Sequence, residues 1–219
     1  MSDVAISKPD VHDMVVVHRG FRQACAELPD LVRGLRPGET ARAQLVADAV
    51  QFMLMGLEAH HVGEDEFLWP RLSERTTPHA EAITRMEEQH HRLEELVTRV
   101  RGALDGLAAD PRPSVCEQVA ARLTELGSVL TAHMDEEENT ILPLAAEHLS
   151  VAEWEELGEI SLAKLEKKQL LRAFSALMAV ATPEEQRAIL TKAPLPARLL
   201  WRLTGRRSHA RREARLRGA

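Results

Sequence analysis

The chain has 219 residues, a net charge of −6, 44% hydrophobic residues, only 3% aromatics and no tyrosine. A chain this long makes one domain of about 150 residues with an extension, or two small domains, and the scarcity of aromatics and β-branched runs favours helices over sheets. No stretch approaches the ~20 apolar residues of a membrane span, the opening MSDVAISKPD has no apolar signal-peptide run, and Cys25 and Cys116 form no CxxC, so the expected compartment is the reducing cytoplasm.

Apolar residues at three- and four-residue steps predict a first helix from near Asp10 to Pro29, with Val11, Met14, Val15, His18, Phe21 and Cys25 on one face. Pro37-Gly38 breaks the chain. A second helix follows over about 39–73, its buried stripe being Phe52, Met53, Leu57, His60, Glu64, Phe67 and Leu68. Thr77-Pro78 reads as an N-cap with proline at the first helical position. It opens a third helix with Ile83, Met86, His90, Leu93, Val97 and Val100 on one side. The turn DGLAADPRP ends that helix at about 105–113. Ser114 and Glu117 read as a capping box for a fourth helix lined by Leu123, Leu126, Leu130, His133, Glu137, Ile141 and Leu144. Ser150 and Glu153 form another capping box, ahead of a helix to about 168. Further helices are expected over 170–180, after Thr182-Pro183, over 196–203 and over 206–218. The fold class is therefore all-α: an up-down-up-down four-helix bundle over residues 1–149, with a C-terminal helical extension over 150–219.

Two segments repeat one pattern. Residues 60–70 read HHVGEDEFLWP and residues 133–143 read HMDEEENTILP. Each holds a His, a Glu four residues later and a Pro six residues after that Glu. A lone His precedes each at nearly the same distance: His18 before His60, and His90 before His133. The order H…HxxxE, H…HxxxE is an internal duplication of a helix pair. Residues i and i+4 share a helix face, so each HxxxE aims an imidazole and a carboxylate the same way, on the apolar stripe. Buried charge needs a partner or a metal, and His18, His60, Glu64, His90, His133 and Glu137 together make a six-donor site for a transition metal. A single such His is usually a satisfied core residue; the duplicated register of all six is what points to metal. His61 with Asp65, and His91 beside His90, lie ~100° round their helices and are read as surface or outer groups. His12, His79, His148 and His209 have no partner pattern and are read as solvated. Met53, Met55 and Met86 are read as core filler, and Trp69 as a structural cap.

With these words in this order (HHxxED…LWP, MEEQH, HxxxEE…LP), residues 10–150 resemble the hemerythrin-like family of HHE cation-binding domains. The resemblance implies two iron ions, a non-haem di-iron centre with an oxo or hydroxo bridge. It makes Glu64 and Glu137 the bridging carboxylates, with His18 and His60 capping one iron and His90 and His133 the other. The implied ligands are O2, peroxide or nitric oxide, in an oxidative or nitrosative stress response. Oxygen-carrying members have a fifth His four residues after the equivalent of His90. Here that position is Glu94. A carboxylate there argues against simple oxygen carriage and for redox chemistry, with Glu94 as a general base at the metal; a solvated Glu94 is the alternative. The same donors would equally serve an iron or gas sensor without turnover, or a bundle that metal merely holds together.

Residues 198–219 carry eight Arg against one acid, a charge of +7 that leaves −13 on residues 1–197. Such an arm could bind nucleic acid or anionic lipid. It could instead pack Leu199, Leu200 and Trp201 on the acidic body. The near absence of stacking aromatics favours packing.

Overall fold

The computed structural model describes residues 8–193, 195, 198, 201 and 205–218, and all regular structure among them is helical. The first helix, α1 (His12–Arg33), runs four residues past Pro29, and Val32 beyond that proline is fully buried. The turn at Pro37-Gly38 uses a left-handed Gly38, φ +87°, a conformation that glycine adopts without steric cost.

The predicted second helix is three pieces: α2 (Thr40–Gly63), a π turn (Glu64–Leu68) and α3 (Trp69–Arg75). The fourth is likewise α5 (Pro113–Glu136), a π turn (Glu137–Ile141) and α6 (Leu142–His148). The repeated proline explains both. Pro70 and Pro143 have no N–H, and a proline ring clashes with the carbonyl four residues back. The helix widens instead, so that Trp69 N–H bonds to Glu64 O and Leu142 N–H to Glu137 O, each five residues back.

Two predicted caps are absent. Thr77 opens a short 3-10 turn (Thr77–His79) with no side-chain cap, and α4 spans Ala80–Ala109. At α5, Pro113 takes the first position, and Glu117 pairs across to Arg33 at 2.9 Å rather than capping its own helix. The Ser150–Glu153 capping box is present at α7 (Val151–Ala163).

Helices α1, α2, α4 and α5 form a ring in which α1 touches α2 and α5, and α4 touches α2 and α5. Cross-contacts set their senses: Arg33–Glu117 and His18–Glu138 make α1 and α5 antiparallel, and Arg99–Glu125 and Arg85–Glu136 do the same for α4 and α5. Two apolar clusters fill the ring. The larger holds Leu54, Leu57, Leu93, Val97, Leu126 and Leu130. The smaller holds Phe67, Leu68, Trp69, Met86, Ile141 and Leu142. The histidines and glutamates of the repeated motif lie between them along the helices.

The extension lies mainly against the α1–α2 side. Helix α7 packs on α2 and the first π turn, with Trp154 Nε1 donating to Asp13 at 3.0 Å. Helix α8 (Lys167–Val180) lies on α1, and α9 (Pro183–Lys192) brings Glu185 to Arg19 and His12, both at 2.7 Å. The final helix, α10 (Arg206–Leu216), touches α2 and α8. Leu216 joins the larger apolar cluster and Arg217 meets Glu27 at 2.7 Å. Trp201 is buried against Phe174, whereas Leu199, Leu200 and the helix expected over 196–203 fall wholly or mainly outside the described residues.

Candidate metal centre

His18 comes from α1, His60 and His61 from the last turn of α2, His90 from α4 and His133 from α5. Glu64 and Glu137 open the two π turns. All seven side chains are buried, and both glutamates are completely so. Short distances link them. His60 Nε2 lies 3.3 Å from Glu64 Oε1, and His90 Nε2 lies 3.5 Å from Glu64 Oε2. Glu137 Oε2 lies 3.2 Å from His18 Nε2 and 3.7 Å from His133 Nε2. These donors fall into two groups able to hold a metal ion: His18, His60, Glu64 and Glu137, and His61, His90, His133 and Glu64. Glu64 belongs to both.

His61 corrects the sequence reading of it as a surface or outer group. It is 8% exposed, and its ring stacks on His90 at 4.0 Å between centroids. The reason is that the end of α2 has two inner faces. His60 turns toward α1 and His18, while His61, one residue on, turns toward α4 and α5. Glu94 is the converse. It is exposed and belongs to neither group, so the place given to it at the metal is not where its side chain lies. A fifth buried imidazole, absent from position 94, is present at His61. The HH at 60–61 was the available signal; a single-face reading of α2 hid it. His91 and His79 are exposed, and His12 pairs with Glu185.

Three of the imidazoles are aimed by their far nitrogens. His18 Nδ1 donates to Glu138 at 2.8 Å, His90 Nδ1 to Asp65 at 2.7 Å and His133 Nδ1 to Gln89 at 2.9 Å. These partners have only acceptor oxygens to offer there, so a proton resides on Nδ1 and Nε2 faces the centre, an arrangement common to metal-binding histidines.

Among the described residues, eight buried side-chain polar atoms lack a hydrogen-bond partner, and seven belong to this cluster: Nε2 of His61, His90 and His133, and both oxygens of Glu64 and Glu137. A buried polar atom left without a partner costs about 1–3 kcal/mol, so a cluster of them calls for something to satisfy it. The donor set therefore fits a metal cation, which would satisfy these lone pairs.

With protein groups alone the charges settle unevenly. Burial pushes the His60 imidazole down to about 3 and His133 down to about 4. Burial, then His90, holds His61 well below the usual imidazole range. Burial and the adjacent Glu137 push the Glu64 carboxyl well above the usual range. Glu137 goes the other way, down to about 2: burial opposes its ionisation, but His18 beside it, with His60 and His133, prevails. Burial likewise opposes charge on His18, and Glu137 and Glu138 raise it nonetheless. A cation entering here displaces protons from these groups.

A bundle of antiparallel helices around a buried histidine–glutamate cluster, able to hold metal in two adjoining places, defines a helical metal-binding class. Residues 10–145 match the family described as hemerythrin HHE cation binding domain, and the chain belongs to that family. No curated protein and no solved structure matches the chain. No helix among the described residues is long and apolar enough to cross a membrane.

Proposed function

We propose that this protein is a non-haem di-iron protein that reacts with O2, peroxide or nitric oxide. His18 and His60 would hold one iron, and His61, His90 and His133 the other, with Glu64 and Glu137 between them. The observation that carries the proposal is the set of seven orphaned donor atoms converging from α2, α4, α5 and the two π turns, with Glu64 common to both groups. Imidazole and carboxylate without thiolate suit iron. Iron bound there supplies one-electron redox chemistry and coordination positions for a small ligand.

The protein's own groups prepare the site. Apolar clusters on either side exclude water, and the Nδ1 bonds of His18, His90 and His133 hold the rings before metal arrives. A purely structural metal is disfavoured by those same clusters, because the ring of helices already has its own apolar filling. The free thiols of Cys25 and Cys116 support a reducing, cytoplasmic setting.

A second reading, a sensor whose metal occupancy alters the extension, has one observation in its favour. Helix α7 packs directly on the first π turn, where Glu64 sits. Metal analysis with optical spectra after anaerobic reduction and exposure to air, peroxide or nitric oxide tests the main proposal. Two irons per chain and a spectrum that changes with each oxidant are expected. One zinc and no iron after iron-replete expression would overturn it. A metal-dependent change in protease cleavage of residues 150–219, without turnover, would favour the sensor.

A further inference from the structure

The duplicated motif extends one residue past the metal-facing glutamates. Glu64 is followed by Asp65, and Glu137 by Glu138. Both following carboxylates do the same thing in opposite halves of the repeat. Asp65, from the first HxxxE, accepts from His90 Nδ1 at 2.7 Å; Glu138, from the second, accepts from His18 Nδ1 at 2.8 Å. Each lone histidine is therefore held by the half to which it does not belong. The π turns make this possible. They begin at Glu64 and Glu137, and their wider winding sends the first carboxylate to the centre and leaves the next at the solvent edge, against the back of a ring: Asp65 is exposed and Glu138 half-buried.

What stands behind each carboxylate differs. Glu138 is met by Arg22 NH1 at 2.6 Å, while Arg22 NH2 reaches Asp135, also at 2.6 Å. Counting four residues on from each lone histidine, Arg22 corresponds to Glu94. A carboxylate cannot back Asp65, and the Trp69 indole does so instead, donating to Asp65 Oδ1 at 3.0 Å. The repeat is also broken at the residue before the lone histidine. Gln89 accepts from His133 and is fixed by Glu136 at 2.7 Å, but the corresponding residue is Val17, which can hold nothing.

We infer that Asp65 and Glu138 are a reciprocal pair of positioning residues. Each crosses between the halves of the repeat to lock the lone histidine of the other half with its Nε2 facing the metal centre. This inference rests on the di-iron reading for its metal readout only; the state of the rings is measurable without metal.

The test compares Asp65→Ala, Asp65→Asn, Glu138→Ala and Glu138→Gln in the full chain, with Glu66→Gln as control, since Glu66 is exposed and among the described residues pairs only with Lys164. The first readout is the rate of iron loss to a strong ferrous chelator. Removing such a supporting group typically costs about 10–100-fold in metal affinity, so each alanine variant should lose iron about that much faster. The amide variants, which keep an acceptor oxygen, should recover part of the loss, and Glu66→Gln should match the parent. The second readout is 15N NMR of the imidazoles in metal-free parent protein, where His18 and His90 should both carry a proton on Nδ1. Where an alanine variant fails to fold, the amide variant decides. Iron loss at the parental rate from the variants, or an Nδ1 without a proton on either ring, overturns the inference. A parent that takes up no iron while both rings show Nδ1–H refutes the di-iron reading and leaves the clamp standing.

Discussion

Replacing His61 by leucine should change stability in opposite directions with and without metal. The substitution fills similar volume with apolar atoms and removes the His61 Nε2, which is buried and has no hydrogen-bond partner. Such an atom costs about 1–3 kcal/mol. The metal-free variant should therefore be more stable than the parent by about that amount. In a chain of this size 1 kcal/mol moves Tm by about 2–4 °C, so a rise of about 2–12 °C is expected. Loaded with iron, the sign reverses. His61 is one of four residues in its donor group, and a ligand lost there weakens binding; each tenfold loss removes about 1.4 kcal/mol of metal-derived stabilisation. The assay is thermal unfolding by circular dichroism with and without iron, with metal content measured in parallel. A fall in Tm of the metal-free variant, or full iron content with an undiminished iron-induced rise in Tm, would refute a place for His61 at the metal.

Metal-free protein should lose stability on mild acidification, because His60 and His133 stay neutral when folded, at about 3 and 4, but protonate near 6.5 when unfolded. Their depressed values mean that the stabilisation is complete above 6.5 and is lost as pH falls toward 4 and 3, by up to about 2.7 kcal/mol per pH unit for the pair; urea unfolding at pH 7, 6 and 5 measures it. Glu64→Gln should abolish binding of the second iron, read by elemental analysis, because Glu64 is common to both donor groups. Pro70→Ala and Pro143→Ala restore an N–H and relieve the clash that widens each π turn; helicity should persist while iron content falls as the donors turn out of register. Gly63→Ala should destabilise by about 1 kcal/mol, because its Cβ would force Ser161 Oγ off its bond to the Leu157 carbonyl on α7; a gain in stability of the size expected for an unhindered helical Gly→Ala, measured by urea unfolding, would refute that contact.

The duplicated H…HxxxE pattern is periodic and local, so the all-helical class and the convergence of His18, His60, Glu64, His90, His133 and Glu137 could be read from the chain. An i, i+4 pair shares a face whatever surrounds the helix. The Ser150–Glu153 cap was readable for the same reason, since its partners are three residues apart. Three features needed the folded chain. Which faces of a helix are inner depends on how many neighbours it has, and α2, flanked by α1, α4 and α7, buries His61 as well as His60. Glu94 repeats the spacing of a ligand, but it lies on the outer side of α4, and spacing from His90 cannot distinguish the two sides. Finally, the bonds from His90 to Asp65 and from His18 to Glu138 join residues 25 and 120 apart in sequence. The repeated proline marks where the helices widen, but only the packing of one half against the other determines which ring each carboxylate meets.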